Sequence, residues 1–205
     1  MRIISKVFLV SLLVLMTSTA MAASVTIEDL NYKGNLTIPS MLGKDLVKKA
    51  KIEGKEKWCA FVVDYKISGD SNKYHDVKIR WKALKPGKKT AYVYKKTINY
   101  SNVKAGQNYA AIFIDPSYVS KQFKGKIGME EFVKATNFQV TVEVKGEGDT
   151  VYYLKGKMAE KKGSKDFKVK KSVKEKDHSS RALYNKADSP FYAIQPDVFN
   201  PIDKK

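Results

Sequence analysis

The sequence contains a single cysteine, Cys59, two histidines and six prolines in 205 residues. One thiol cannot form a disulfide within the chain, so the fold must rest on its core rather than on covalent staples. His75 and His178 are far apart, and Cys59 lies in an apolar run, so no zinc-ligand spacing exists. There is no G-x-S-x-G, no H-E-x-x-H, no phosphate-cradling glycine loop and no G-x-G-x-x-G. Ser101 and Lys104 match S-x-x-K, but they fall in a predicted loop without the companion elements of penicillin-recognising enzymes. Glu130 and Glu131 are adjacent, so they do not face each other across a cleft as a glycosidase pair must. Glu147 and Asp149, set between glycines, read as turn chemistry rather than as calcium ligands. The expectation is a protein that is not an enzyme and takes no cofactor and no metal.

Arginine is as scarce as cysteine: after Arg2 only Arg80 and Arg181 occur, so the basic charge is carried by lysine. Lysine is a hydrated point charge, whereas bidentate reading of phosphate or of a guanine edge favours arginine. Diffuse attraction to anions is therefore expected, and specific nucleic-acid recognition is not. Long apolar runs are also few. Val7–Met16 follows the cationic start MRIISK and is ended by Thr17–Thr19, with Ala-x-Ala closing at Ala22. That is the pattern of a secretory signal peptide over residues 1–22, too short for the roughly 20 apolar residues of a membrane span. Loss of Arg2 and Lys6 with the leader lowers the formal net charge from +18 to +16. The mature chain is expected outside the cytoplasm, secreted or periplasmic, without a transmembrane segment. Two N-glycosylation sequons, at Asn35 and Asn99, matter only in a eukaryotic host.

What the sequence does have is alternation. In Trp58–Ile67, Cys59, Phe61, Val63, Tyr65 and Ile67 are apolar, and Trp58, Ala60 and Val62 make the first half apolar on the other side as well. This reads as a central strand, buried on one face throughout and on both faces at its start. Ser24–Leu30 is a strand candidate, followed by a turn at Gly34 and a short edge piece before Pro39. Ser40–Ala50 is irregular or a short helical turn. His75–Leu84 alternates Val77, Ile79, Trp81 and Ala83 against Asp76, Lys78, Arg80 and Lys82. Thr90–Tyr100 places Tyr92, Tyr94, Ile98 and Tyr100 on one side. Asn108–Ile114 is apolar on both faces, and its expected place is across the core from the strand at Trp58.

Asp115-Pro116 signals a helix start, with Val119 and Phe123 one turn apart and Gly125 at the end. A second short helix is expected over Met129–Ala135, and both helices serve as a crossover between sheets. Phe138–Lys145 and Thr150–Gly156 then form a hairpin about a turn at 146–149. Seven or eight strands with helices only in connections predict an all-β, antiparallel two-sheet sandwich over residues 23–157. The arrangement resembles immunoglobulin-like and fibronectin-like sandwiches in general build, without the Cys…Trp…Cys signature of true immunoglobulin domains. A small closed barrel is the alternative.

Residues 158–188 read as a lysine-rich linker carrying at most one edge strand, with Phe167 and Val169 alternating, since Lys155–Asp177 holds ten lysines against four acids and few apolar residues. Residues 189–205 turn aromatic and proline-rich; Phe191, Tyr192 and Phe199 either dock on the sandwich or bind a partner. Tyrosine is the remaining positive feature, with twelve in the chain. Aromatic rings with lysines nearby suit an acidic polysaccharide, and Tyr92, Tyr94 and Lys96, joined by Tyr152, are the candidate ligand residues. The expected function is non-catalytic binding of an anionic or carbohydrate polymer of the envelope or surroundings. The alternative is a structural protein that binds another envelope protein through a sheet edge or the tail.

Overall fold

The computed structural model describes residues 23–36, 57–70, 72–87, 89–154, 157–158, 174–177, 182–185 and 188–189. The strand at the centre, β2 (Trp58–Ser68), is flanked on one side by β1 (Ser24–Leu36) and on the other by β5 (Gly106–Ile114). With β10 (Leu183–Tyr184) beyond β5, these strands make the first sheet, in the order β1-β2-β5-β10. The second sheet runs β8-β7-β6-β3-β4-β9. Its strands are β3 (Tyr74–Lys85), β4 (Thr90–Lys104), β6 (Asn137–Val144), β7 (Glu147–Leu154), β8 (Lys157–Met158) and β9 (Lys174–Asp177). The result is the predicted all-β sandwich, antiparallel except where β9 joins β4 in parallel.

The period of two in β2 translates directly into packing. Cys59, Phe61, Val63, Tyr65 and Ile67 are each at most 1% exposed and face the second sheet. Phe61 stacks on Phe138 of β6 with ring centroids 3.8 Å apart, and its edge meets Tyr153 of β7. Trp58, Ala60 and Val62 face the other way and form a separate buried cluster with Ala111 and Phe113. The first half of β2 is thus enclosed on both faces, as its composition requires.

Three expectations are corrected. β5 does not face β2 across the core; it is hydrogen-bonded beside it, in unbroken register from Cys59 opposite Ile114 to Ile67 opposite Gly106. Both strands are apolar on two sides because they are interior neighbours in one sheet. Gly34 does not turn the chain: β1 continues to Leu36 and absorbs the extra residues as irregularities at Ile27/Asp29 and Lys33/Leu36. Asn35 takes φ 58 there, a conformation asparagine tolerates. The hairpin between β6 and β7 turns at Lys145-Gly146 rather than at 146–149, with φ 49 and 87. Positive φ at both residues is the type I′ geometry that matches strand twist.

Two short helices link the sheets. In α1 (Pro116–Gln122) the Asp115 carboxylate accepts from the Ser117 backbone N–H at 2.8 Å, and proline occupies the first turn. In α2 (Met129–Lys134) Glu130 pairs with Lys134. Val119, Phe132 and Val133 enter the main core, so the helices close one end of the sandwich.

The segment expected as a linker over 158–188 also contributes to the sheets. β9 lies along Thr90–Val93 of β4, and β10 pairs with Ile114 and Phe113 of β5. The chain therefore passes from the edge of one sheet to the edge of the other. The leader at residues 1–22, the segment Ser40–Ala50 and the tail residues Phe191, Tyr192 and Phe199 lie outside the described residues.

Candidate functional site

The four ligand residues expected from the sequence do not form one platform. Register places Tyr92, Tyr94 and Lys96 on the inward side of β4, opposite Lys85, Ala83 and Trp81. Tyr152 lies in β7 opposite Gln139, which in turn lies opposite Lys82; these side chains are on the outward side of the same sheet. Strand parity separates Tyr152 from the other three. Tyr94 is 1% exposed, packed edge-on against Tyr118 and Phe132, and burial pushes its phenol well above the ordinary range. It is a core residue, not a binding platform. Lys96 is committed to an ion pair with Asp188 at 3.9 Å, which ties residues beyond β10 back to the second sheet.

Tyr92 is the exception. It is half-buried at the helix-capped end of the sandwich, where its ring meets Phe123 edge-on at 5.4 Å. Phe123 follows α1 and leans on Phe132 of α2, so two helices and a strand converge on one ring. Lys85, opposite Tyr92 in the β3–β4 register, lays its Nζ 4.8 Å from the centroid of Phe123. Among the described residues Lys85 has no carboxylate partner, and burial lowers its ammonium below the ordinary lysine value of 10.5. The stretch Pro116–Gly128 that carries Phe123 holds Lys121, Lys124 and Lys126 and no acid. Half-buried rings beside an unpaired, partly dehydrated cation make this corner able to receive an anionic group while an apolar ring face packs against it.

Lys85 and Phe123 were not among the residues expected from sequence. Pairing across the Pro86-Gly87 turn contained the signal for Lys85, since a lysine directly opposite Tyr92 shares its face. Phe123 was recognised as a helix-face residue, but alternation does not tell which strand a helix lands on.

Lys78, Arg80 and Lys82 of β3 and Lys95 of β4 project from the outer side of the second sheet, with Glu143 of β6 among them. Glu143 binds Arg80 at 2.6 Å and lies 3.9 Å from Lys78. On the outer side of the first sheet stand Glu28, Asp29 and Asp64, bridged by amides. Gln107 donates to Glu28 at 3.0 Å and to Asp64, and Asn31 donates to Asp29. Partial burial, then Glu28 and Asp29 nearby, raise the Asp64 carboxyl above its ordinary value.

No curated protein matches the chain. Three chains of solved structures match it. One, the crystal structure of a protein from Akkermansia muciniphila, is 20% identical, with 89% of this chain and 94% of that chain covered and a TM-score of 0.63. At that identity the likeness is one of fold. A protein-family model matches residues 16–205, and the chain belongs to the family that this model describes.

Proposed function

We propose that the protein is a non-catalytic, extracytoplasmic β-sandwich that binds an anionic carbohydrate polymer at the corner formed by Lys85, Tyr92 and Phe123. The observation that carries this reading is the Lys85 ammonium, laid over the Phe123 ring with no acid to pair with among the described residues. A cation partly stripped of water gains more from an incoming carboxylate or sulfate than an exposed lysine does. The half-buried rings of Tyr92 and Phe123 offer the apolar contact that a sugar ring needs. Lys121, Lys124 and Lys126 add attraction at longer range, and the formal net charge of +16 left after loss of Arg2 and Lys6 with the leader raises the local concentration of polyanions. The leader pattern at residues 1–22 supports an extracytoplasmic setting, where such polymers occur.

Titration calorimetry of residues 23–205 with polygalacturonate tests the reading. Lys85→Gln and Phe123→Leu are each expected to weaken binding about tenfold, the loss of one desolvated charge contact or one ring contact. Binding unchanged in both variants removes the corner from the account.

A further inference from the structure

β8 pairs with β7 and β9 pairs with β4, so these two strands stand at opposite edges of the second sheet, about 24 Å apart at the usual strand spacing. Every pairing from β8 through to β4 is antiparallel and that of β9 with β4 is parallel, so β8 and β9 point the same way. Residues 159–173 therefore connect two parallel strands of one sheet, and fully extended they reach about 50 Å.

Handedness decides which side of the sheet the connection takes, because crossovers between parallel strands are right-handed in nearly every sheet. In the β6–β7 hairpin Val144 and Glu147 flank the two-residue turn, so their backbones exchange both hydrogen bonds, and the Val144 side chain lies in the core. For an L-residue this combination puts β7 to the left of β6 when the sheet is seen from outside with β6 pointing up. β8 is then the left edge and β9 the right edge, both pointing up. A right-handed connection from left to right passes over the outer side, while the inner side is filled by the first sheet.

The outer side carries a matching surface. Leu84 of β3 and Ala91 and Val93 of β4 form a separate buried cluster there, 5%, 2% and 3% exposed, on which no other described apolar residue packs. One row along, Tyr152 is 8% exposed and the Gln139 amide oxygen is buried. These groups have their backs to the core, so what keeps them from water lies outside the sheet. Met158 stands in the row Tyr153–Phe138–Ala83–Tyr94 and Lys174 stands beside Thr90, so the line between them passes Val93 and Ala91.

We infer that residues 159–173 are the occupant of this face: they cross the outer side of the second sheet and set Phe167 and Val169 on Leu84, Ala91 and Val93. Alternation sends these two apolar side chains to one side of the segment and Lys168 and Lys170 to the other. The segment is then a third layer rather than a tether. This end of the sheet is closed by the chain itself to polymers and to partner chains.

Val93→Cys in residues 23–205, with the buried Cys59 as internal control, tests the inference. The thiol introduced at position 93 is expected to be as slow toward iodoacetamide as Cys59. Replacing residues 159–173 by a glycine-serine chain of the same length should raise its rate to that of an exposed thiol while Cys59 stays protected. A thiol at position 93 that stays protected after the replacement is covered by another part of the molecule, and one that reacts before it is not covered at all; either result overturns the inference. Nuclear Overhauser contacts in the unaltered chain give a reading that does not depend on how the replacement folds. The Phe167 ring should contact the methyl groups of Leu84 and Val93, and absence of those contacts overturns the inference as well.

Discussion

Phe61 is enclosed by rings from three other strands. It is fully buried, stacked on Phe138 and bounded by Tyr32 and Tyr153, so it joins the two sheets through ring contacts alone. Phe61→Ala is expected to cost about 3–5 kcal/mol, read from the shift of the urea midpoint at constant slope. Cys59, two residues earlier on the same face, is fully buried, and burial pushes its thiol far above the ordinary range. It should resist iodoacetamide in the folded protein and react once urea unfolds the chain. Phenols behave in the same sense: burial raises Tyr32 from 10.0 to about 12, and raises Tyr94 and Tyr100 as well. These groups hold their protons longer when folded, so their contribution to stability is complete below pH 10 and is lost as the pH rises from 10 towards 12. Thermal melts across that interval should show a falling midpoint; a flat profile would place the phenols in water.

Elements were legible where a local rule decides them. Alternation identified both faces of β2 and the inward side of β4, because a strand side chain has only two directions to take. The Asp115-Pro116 start of α1 was legible because an N-cap followed by proline is a local chemical statement. Asp115→Ala should lose about 1 kcal/mol by the same denaturation assay. What alternation does not contain is the identity of a neighbour. β5 carries the signature of burial on two faces whether it lies beside β2 or across from it, and only the long-range register decides. Tyr94 failed as a site residue for a related reason. Its pattern gave the face correctly, but that face is covered by α1 and α2, whose landing place no period encodes.

At the scale of the molecule, part of the lysine-rich segment is used to extend the second sheet. Residues 174–177 are all charged and exposed, and so carry no apolar periodicity; they join β4 through backbone hydrogen bonds. The two-residue β10 and the Lys96–Asp188 pair then hold the other edge. A chain ending at residue 173 lacks β9 and β10 and uncovers the edges of β4 and β5; a lower melting temperature and a greater tendency to aggregate than the full chain are expected.

The account stands most directly on Lys85. Reductive methylation with a carbon-13 label keeps every lysine charged and gives each a resolved NMR signal, with that of Lys85 identified from a Lys85→Arg variant. On adding a short oligogalacturonate, the Lys85 signal should move furthest and its titration midpoint should rise, because a bound carboxylate offsets the desolvation that now lowers it. A Lys85 signal that stays in place while those of other lysines move would contradict the proposed site.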